Sequence, residues 1–427
     1  MDRARGDRDV TGLASVRLGI AVVAAVLAVH VLFATAVLPA LRESGLLFAD
    51  DRDPYPSIAR SLAAGRGYVL DPGPHPTLRR MPGYPLLLAG LLQLACGREN
   101  VAALLQVLLV AGSTALCFAT LRSAGAWAAG GGALALGMHP LTIVYSSRFY
   151  SESLSLFLTA VSLFLLARVL SRRRLGDYLA FSMSLAAGWL TRTTIVIWAV
   201  PSLVALLLHP TFRSRPLAWA VGPALAVTLV VPWIARNRAV TGELVAGSSW
   251  NARSALHGLR NAVDPAFGSH PRETDDATMA STSAAVTRII GPVDSAAKEL
   301  QEDRLATRWL LSELLVDPGK RAGAFARGLV RSFYLTSSRP VRLLAGIVNL
   351  CLLALAALGW LLGRGQRPLE LHCWLLVGTF WLFHAFVFPL VRYQMPAIPA
   401  LALLAGIGLE RARTRLFLDG SRSSAAV

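Results

Sequence analysis

Pro82-Gly83-Tyr84-Pro85-Leu86-Leu87-Leu88-Ala89-Gly90-Leu91-Leu92-Gln93-Leu94-Ala95-Cys96 is the stretch on which the topology turns. It is apolar enough for a membrane helix but falls short of the roughly 20 residues that a crossing requires. Two prolines at its start favour a helix lying at the membrane interface. That choice fixes the side of the membrane for every later loop. With the basic tail of Arg3, Arg5, Arg8 and Arg17 held in the cytoplasm, the loop from Arg42 to Asn100 is external. Arg122 is then internal, Ser146–Ser151 external, and Arg172-Arg173-Arg174 internal. Counting 83–96 as a span would put the triple arginine outside.

Working outward, apolar runs fall at about 17–40, 100–121, 127–145, 152–170, 178–208, 217–234, 341–362, 369–390 and 395–410. The run 178–208 is interrupted by Thr191-Arg192-Thr193 and by Pro201, and both its flanks are basic, so two short helices meeting near Arg192 are expected. A broken helix at membrane depth is tolerated where it faces protein or a wet cavity. Parity then places Arg236-Asn237 outside, Arg364 and Arg367 inside, Arg392-Tyr393 outside and the C-terminal arginines inside. The expected fold is an all-α polytopic membrane protein of about ten transmembrane helices, with interfacial helices and an external cap. Its parts are an N-terminal module (1–234), a partly ordered cap (235–340) and C-terminal spans with a basic tail (341–427). The first run is long enough to span and lacks a clear cleavage site, so a multi-pass plasma or inner-membrane protein with a cytoplasmic N-terminus is expected.

Composition agrees. The chain is 54% hydrophobic and 16% charged, with a mean hydropathy of +0.53, values that exclude an ordinary water-soluble enzyme. The net charge of +17 comes almost wholly from arginine, with lysine only at Lys298 and Lys320. These arginines sit in caps between apolar runs, where they orient helices and meet anionic head groups; no nucleic-acid partner is expected. Cys96, Cys117, Cys351 and Cys373 lie in apolar runs without a CxxC, so neither a disulfide framework nor a zinc site is expected.

Sidedness gathers Asp51, Asp53, Tyr55, Arg80, Tyr84, Glu152, Arg236, Arg392 and Tyr393 on the external face. The bland alternative is that they are solvated loop ends, and the residues alone do not separate the two readings. In the first external loop Asp51 stands four residues before Tyr55, Ile58-Ala59 follows, then Gly65-Arg66-Gly67-Tyr68, then Arg80 before Pro82-Gly83-Tyr84-Pro85. This loop resembles that of the C-type membrane glycosyltransferases. That superfamily includes the polyprenyl-phosphate-mannose protein mannosyltransferases and the lipid A aminoarabinose transferases. His139-Pro140 through Ser151-Glu152, Leu190-Thr191-Arg192, Pro232-Trp233 with Arg236-Asn237, and Arg392-Tyr393 with Pro396 and Pro399 continue the resemblance in order. There are two departures. Arg52 takes the second place of an Asp-Glu pair, so Asp53 or Asp50 would have to supply that acid, and Met81 replaces the first of two prolines.

The resemblance implies a polyprenyl-phosphate sugar donor and a protein, lipid or glycan acceptor. As the sugar is transferred through an oxocarbenium-like state, the acceptor oxygen loses its proton. Asp51 is the candidate base, with metal ligation and acceptor positioning as alternatives. Arginine matches the oxygens of a leaving phosphate, which makes Arg80, Arg392 and Arg192 the candidate phosphate ligands in that order. An ion pair or a snorkelling side chain is the other reading of Arg192. Glu152, otherwise a helix-start acid, is assigned to the site to hold the acceptor or Arg80. Tyr55 and Tyr84 would line a sugar pocket or sit in an interfacial belt. His139, His372 and His384 read as packing residues. No cofactor is expected. The Asp51-Arg52-Asp53 triplet leaves a divalent metal as an alternative, but nucleotide sugars belong to the other side of the membrane. The competing class is a transporter or flippase for lipid-linked oligosaccharide, for which related halves would be expected and none are found.

Overall fold

The computed structural model describes residues 2–43, 53–70, 73, 75–208, 216–363 and 368–424. Among these the chain is helical almost throughout, with one isolated antiparallel bridge between Val69 and Pro76. Seven segments are long and apolar enough to cross a membrane: Leu13–Leu41, Glu99–Leu121, Glu152–Arg172, Trp219–Thr241, Arg339–Leu362, Pro368–Val387 and Val391–Leu416. The protein is therefore an integral, multi-pass, all-α membrane protein.

Helix α1 (Asp2–Leu32) continues through a π-helical turn (Phe33–Val37) into Leu38–Glu43. Then come α2 (Tyr55–Ala63), α3 (Gly83–Leu94), α4 (Glu99–Leu121), α5 (Ala126–Gly137) and α6 (Pro140–Tyr145). The run 83–96 is a helix of 12 residues, roughly 18 Å long against a hydrocarbon core of about 30 Å. Its buried face, Tyr84, Leu88, Ala89 and Leu92, packs with Tyr55 and Ala59 of α2 and Ala102 of α4.

The run 127–145, expected as one span, breaks between α5 and α6. Pro140 brings no N–H and holds the preceding His139 extended (φ −61, ψ 133). His139 Nδ1 then accepts from the Leu141 N–H at 3.2 Å, capping the new helix.

Helices α7 (Glu152–Arg172) and α8 (Leu175–Thr191) follow, then a 3-10 turn (Thr193–Ile195) and α9 (Val196–Leu208). The expected break falls at Arg192, which is extended (φ −148, ψ 123). Pro201 makes no second break and lies inside α9. The seven long segments match seven of the about ten expected crossings, and the other three expected runs correspond to α5, α8 and α9, which fall short of a span by length.

After α10 (Pro216–Thr241), the segment expected to be partly ordered holds four helices: α11 (Asn251–Val263), α12 (Pro271–Ile290), α13 (Ala296–Val316) and α14 (Pro318–Tyr334). They pack on one another and, through α11 and α14, on α16 (Pro368–Val387). Two glycines make that docking close. A Cβ at Gly258 would lie 1.5 Å from the Val387 carbonyl oxygen, and one at Gly328 2.0 Å from that of Ala385. The chain ends with α15 (Arg339–Leu362), α16, a 3-10 turn (Val391–Ala397) and α17 (Ile398–Ser424).

Of the seven long apolar segments, Val391–Leu416 is the most buried and Leu13–Leu41 the least. Helix α17 packs closely on α5 and α15, where glycines again let backbones touch. A Cβ at Gly406 would sit 2.5 Å from the Ala128 carbonyl oxygen, and one at Gly408 1.9 Å from that of Leu355. Small residues at such seams are the usual route to close packing when hydrocarbon tails compete for apolar side chains. Glu410 finishes the α5–α17 contact by accepting from the Trp127 and Ala128 N–H groups at 3.1 Å each. An acid at a helix N-terminus is favoured there.

Candidate active site

Broken helices and helix ends enclose a cavity of about 1200 Å³. Its wall carries Asp53, Tyr55, Arg80, Glu152, Arg192, Arg392 and Tyr393 from distant parts of the chain. Asp51, the candidate base, lies outside the described residues, as does Arg52.

Arg80 and Asp53 come from opposite ends of the first long loop. Arg80 Nε donates to Asp53 Oδ1 at 3.1 Å and Nη2 to Oδ2 at 3.4 Å. The guanidinium also lies over the rings of Tyr55 (5.4 Å) and Trp250 (5.6 Å). Burial works against its charge, but Asp53 and Tyr55 more than offset this, and its pKa rises above the ordinary value. Tyr55 donates to Ser151 Oγ at 3.1 Å. Burial first, and Asp53 next, push its phenol up to about 12, so it remains a neutral donor at neutral pH.

Arg192 projects from the break between α8 and α9. Its Nη1 is 3.1 Å from Glu152 Oε1, and the pair is largely buried, with side-chain exposures of 14% and 4%. Glu152 therefore holds Arg192, where the sequence reading assigned it to the acceptor or to Arg80. Starting α7 places its carboxylate at the positive end of that helix.

Arg392 sits in the 3-10 turn before α17, over Tyr393 (4.9 Å) and Tyr150 (5.6 Å), with Nη2 donating to the Tyr393 hydroxyl at 2.9 Å. Tyr393 also lies under Arg192 (5.3 Å) and stacks on His384 with an interplanar angle of 3°. Among the described residues, Arg80 and Arg192 are each ion-paired, whereas no carboxylate lies within ion-pair distance of Arg392. Arg80, Arg192 and Arg392, on a wall that also carries Arg79, Arg148, Arg253 and Arg272 beside its tyrosines, suit the cavity to a phosphorylated ligand, with Arg392 the least neutralised of the three.

Two expected site residues are placed elsewhere. Tyr84 is fully buried off the cavity and donates to Gln106 Oε1 at 2.7 Å. Arg236 is spent on the loop backbone, with Nη1 donating to the Thr77 carbonyl (2.9 Å) and Nη2 to that of Tyr68 (3.1 Å). Both support the site from behind. The sequence reading missed Arg148, Tyr150, Trp250, Arg253 and His384, all in the wall. The first two had a signal, since they adjoin Ser151-Glu152 on a loop between apolar runs. His384 reads from sequence as a packing residue, although an imidazole within an apolar span is itself a cue. His139 does pack, with Nε2 3.0 Å from Asn349 Oδ1.

Fold and cavity together define a class: multi-pass helical membrane proteins with a large arginine-rich cavity at the helix ends. Residues 74–235 match the family model described as dolichyl-phosphate-mannose-protein mannosyltransferase. That segment contains Arg80, Glu152 and Arg192, and it is the family to which the loop motifs point. Among solved structures, the chain is similar to ArnT from Cupriavidus metallidurans in the apo state, at 17% identity. That alignment covers 90% of this chain and 78% of the other with a TM-score of 0.41. It is also similar to the same protein bound to undecaprenyl phosphate, at 15% identity over 94% and 78% of the two chains, with a TM-score of 0.42. No curated protein matches the chain.

Proposed function

We propose that this protein is an integral-membrane glycosyltransferase that moves a sugar from a polyprenyl-phosphate donor to an acceptor hydroxyl on the external face. The observation that carries the reading is the convergence of Arg80, Arg192 and Arg392 on one tyrosine-lined cavity. The family match over residues 74–235 supports it. In the reaction the acceptor oxygen forms a bond to the anomeric carbon while the bond to the phosphate oxygen breaks. The polyprenyl phosphate leaves with the electron pair, and negative charge grows on its oxygens. Fixed guanidiniums at that point stabilise the transition state without reorganising. Arg392 takes the phosphate first, and Arg80 and Arg192, oriented by Asp53 and Glu152, complete its shell. Asp51, two positions before the cavity residue Asp53, is the base that accepts the acceptor proton. Tyr55 and Tyr393 line the sugar pocket.

Membranes containing wild type or Asp51→Asn, supplied with radiolabelled polyprenyl-phosphate sugars, test this. Wild type should release polyprenyl phosphate and transfer label, and the variant should lose transfer while still binding donor. Equal transfer by both removes Asp51 as the base. If wild type consumes no donor yet moves lipid-linked glycan across liposomes, the protein is a transporter.

A further inference from the structure

Glu299 of α13 is a buried carboxylate outside the cavity wall. It gathers the segment that leads into Arg80. Its Oε1 accepts from Thr77 Oγ1 at 2.7 Å, and its Oε2 accepts from the Leu78 N–H at 2.7 Å and from Ser249 Oγ at 3.1 Å. Arg79 Nε lies 3.4 Å from Oε1. The Ser249 N–H donates to the Leu78 carbonyl at 2.9 Å, tying in the stretch that carries Trp250. From the other side, Arg236 holds the Thr77 carbonyl, and the Tyr68 hydroxyl donates to the carbonyls of Arg80 (2.9 Å) and Met81 (3.2 Å). The backbone from 77 to 81 is thus pinned on both sides; from α13, Glu299 binds the Leu78 N–H directly, and Glu302 faces the Arg79 side chain at 3.8 Å.

We infer that Glu299 is a positioning residue, through which helix α13 sets the placement of Arg80 for the donor phosphate; this rests on the function proposed above. The carboxylate suits the task because it accepts from a hydroxyl and a backbone N–H at once while facing Arg79. Alanine would leave the Leu78 N–H without its acceptor and take from Arg79 the nearer of its two carboxylates, leaving Glu302 at 3.8 Å, so the segment would move to find a new partner. Glutamine keeps the shape and one acceptor oxygen but loses the charge opposite Arg79.

The test uses the full-length protein in detergent, with undecaprenyl phosphate as the binding probe and hydrogen exchange over residues 75–81. Glu299→Ala should weaken binding about tenfold, the equivalent of one charge-assisted hydrogen bond, and speed exchange at Leu78. Glu299→Gln should fall between it and wild type. In transfer assays the donor KM should rise while kcat changes less. A merely structural role would lower the folded amount and leave KM of the folded fraction unchanged. Arg80→Ala is run beside them. If Arg80→Ala weakens binding but Glu299→Ala neither does so nor alters exchange at 77–80, the inference is overturned and the proposed function stands. If Arg80→Ala binds as wild type does, the phosphate role of Arg80 falls, and this inference with it. Should Glu299→Ala fail to fold, Glu299→Gln and Ser249→Ala decide by the same readouts.

Discussion

Truncating Glu152 should destabilise the protein far more than truncating Glu152 and Arg192 together. The carboxylate is 4% exposed and the guanidinium 14%, at 3.1 Å. Removing one partner of such a pair leaves a charge out of water without compensation, at a cost of about 3–5 kcal/mol. Arg192 keeps its place over the Tyr393 ring at 5.3 Å, so the lower end, about 3 kcal/mol, applies to Glu152→Ala. Replacing both by apolar residues, Glu152→Ala with Arg192→Met, removes the stranded charge and should return to within about 1 kcal/mol of wild type. With a transition entropy of about 2.1 cal/mol/K per residue, 1 kcal/mol is worth about 1 °C in a chain of 427 residues, so the single variant should melt about 3 °C lower and the double should recover most of that. Scanning fluorimetry on purified protein in one detergent, with all four members of the cycle, reads this directly. Additive losses would refute the reasoning, since additivity means the two side chains do not interact.

Other outcomes follow from single contacts. His257 is buried, and burial together with Arg253 and Arg260 lowers its pKa from 6.5 to about 3. The unfolded chain therefore binds a proton below pH 6.5 that the folded one does not, and stability should fall by about 1.4 kcal/mol per pH unit from there towards pH 3. Melting of wild type against His257→Phe between pH 7 and 5 checks this, and parallel curves would contradict it. Gly258→Ala should loosen α11 from the end of α16, because its Cβ would meet the Val387 carbonyl oxygen, a backbone atom that cannot rotate away. A loss of about 1–3 kcal/mol is expected from overpacking, with faster hydrogen exchange in α11, and an unchanged melting point would show that the seam can open freely. Gly408→Ala should act likewise between α17 and α15 against the Leu355 carbonyl.

Much of the fold was legible because membrane burial writes itself in long apolar runs. The break at Arg192 was readable, since a charge between threonines inside such a run needs a reason to be there. The short helix from Gly83 to Leu94 was readable from length alone. Pro201, which also interrupts the apolar run, is accommodated within α9 and adds no second break. The break before Pro140 was missed because apolar residues continue on both sides of it. For the site, the loop motifs picked out Arg80, Glu152, Arg192 and Arg392, but not their pairing. Asp53 meets Arg80 because α2 and α3, which they precede, pack together, and Glu152 meets Arg192 because α7 and α8 do, contacts between separate segments that no local pattern encodes. Arg236 and Tyr84 carried the same motif signal as the cavity residues, yet they brace the loop and helix behind the wall. His384 was hidden among apolar neighbours, and Glu299 among the charges of an amphipathic helix.

The proposed transfer requires, before any chemistry, that the cavity arginines bind polyprenyl phosphate. Purified protein should bind radiolabelled undecaprenyl phosphate, and Arg392→Ala should weaken that binding at least tenfold, the loss of one charge-assisted contact, with its melting point near that of wild type. Binding by wild type and variant with equal affinity, in folded protein, would contradict the central claim.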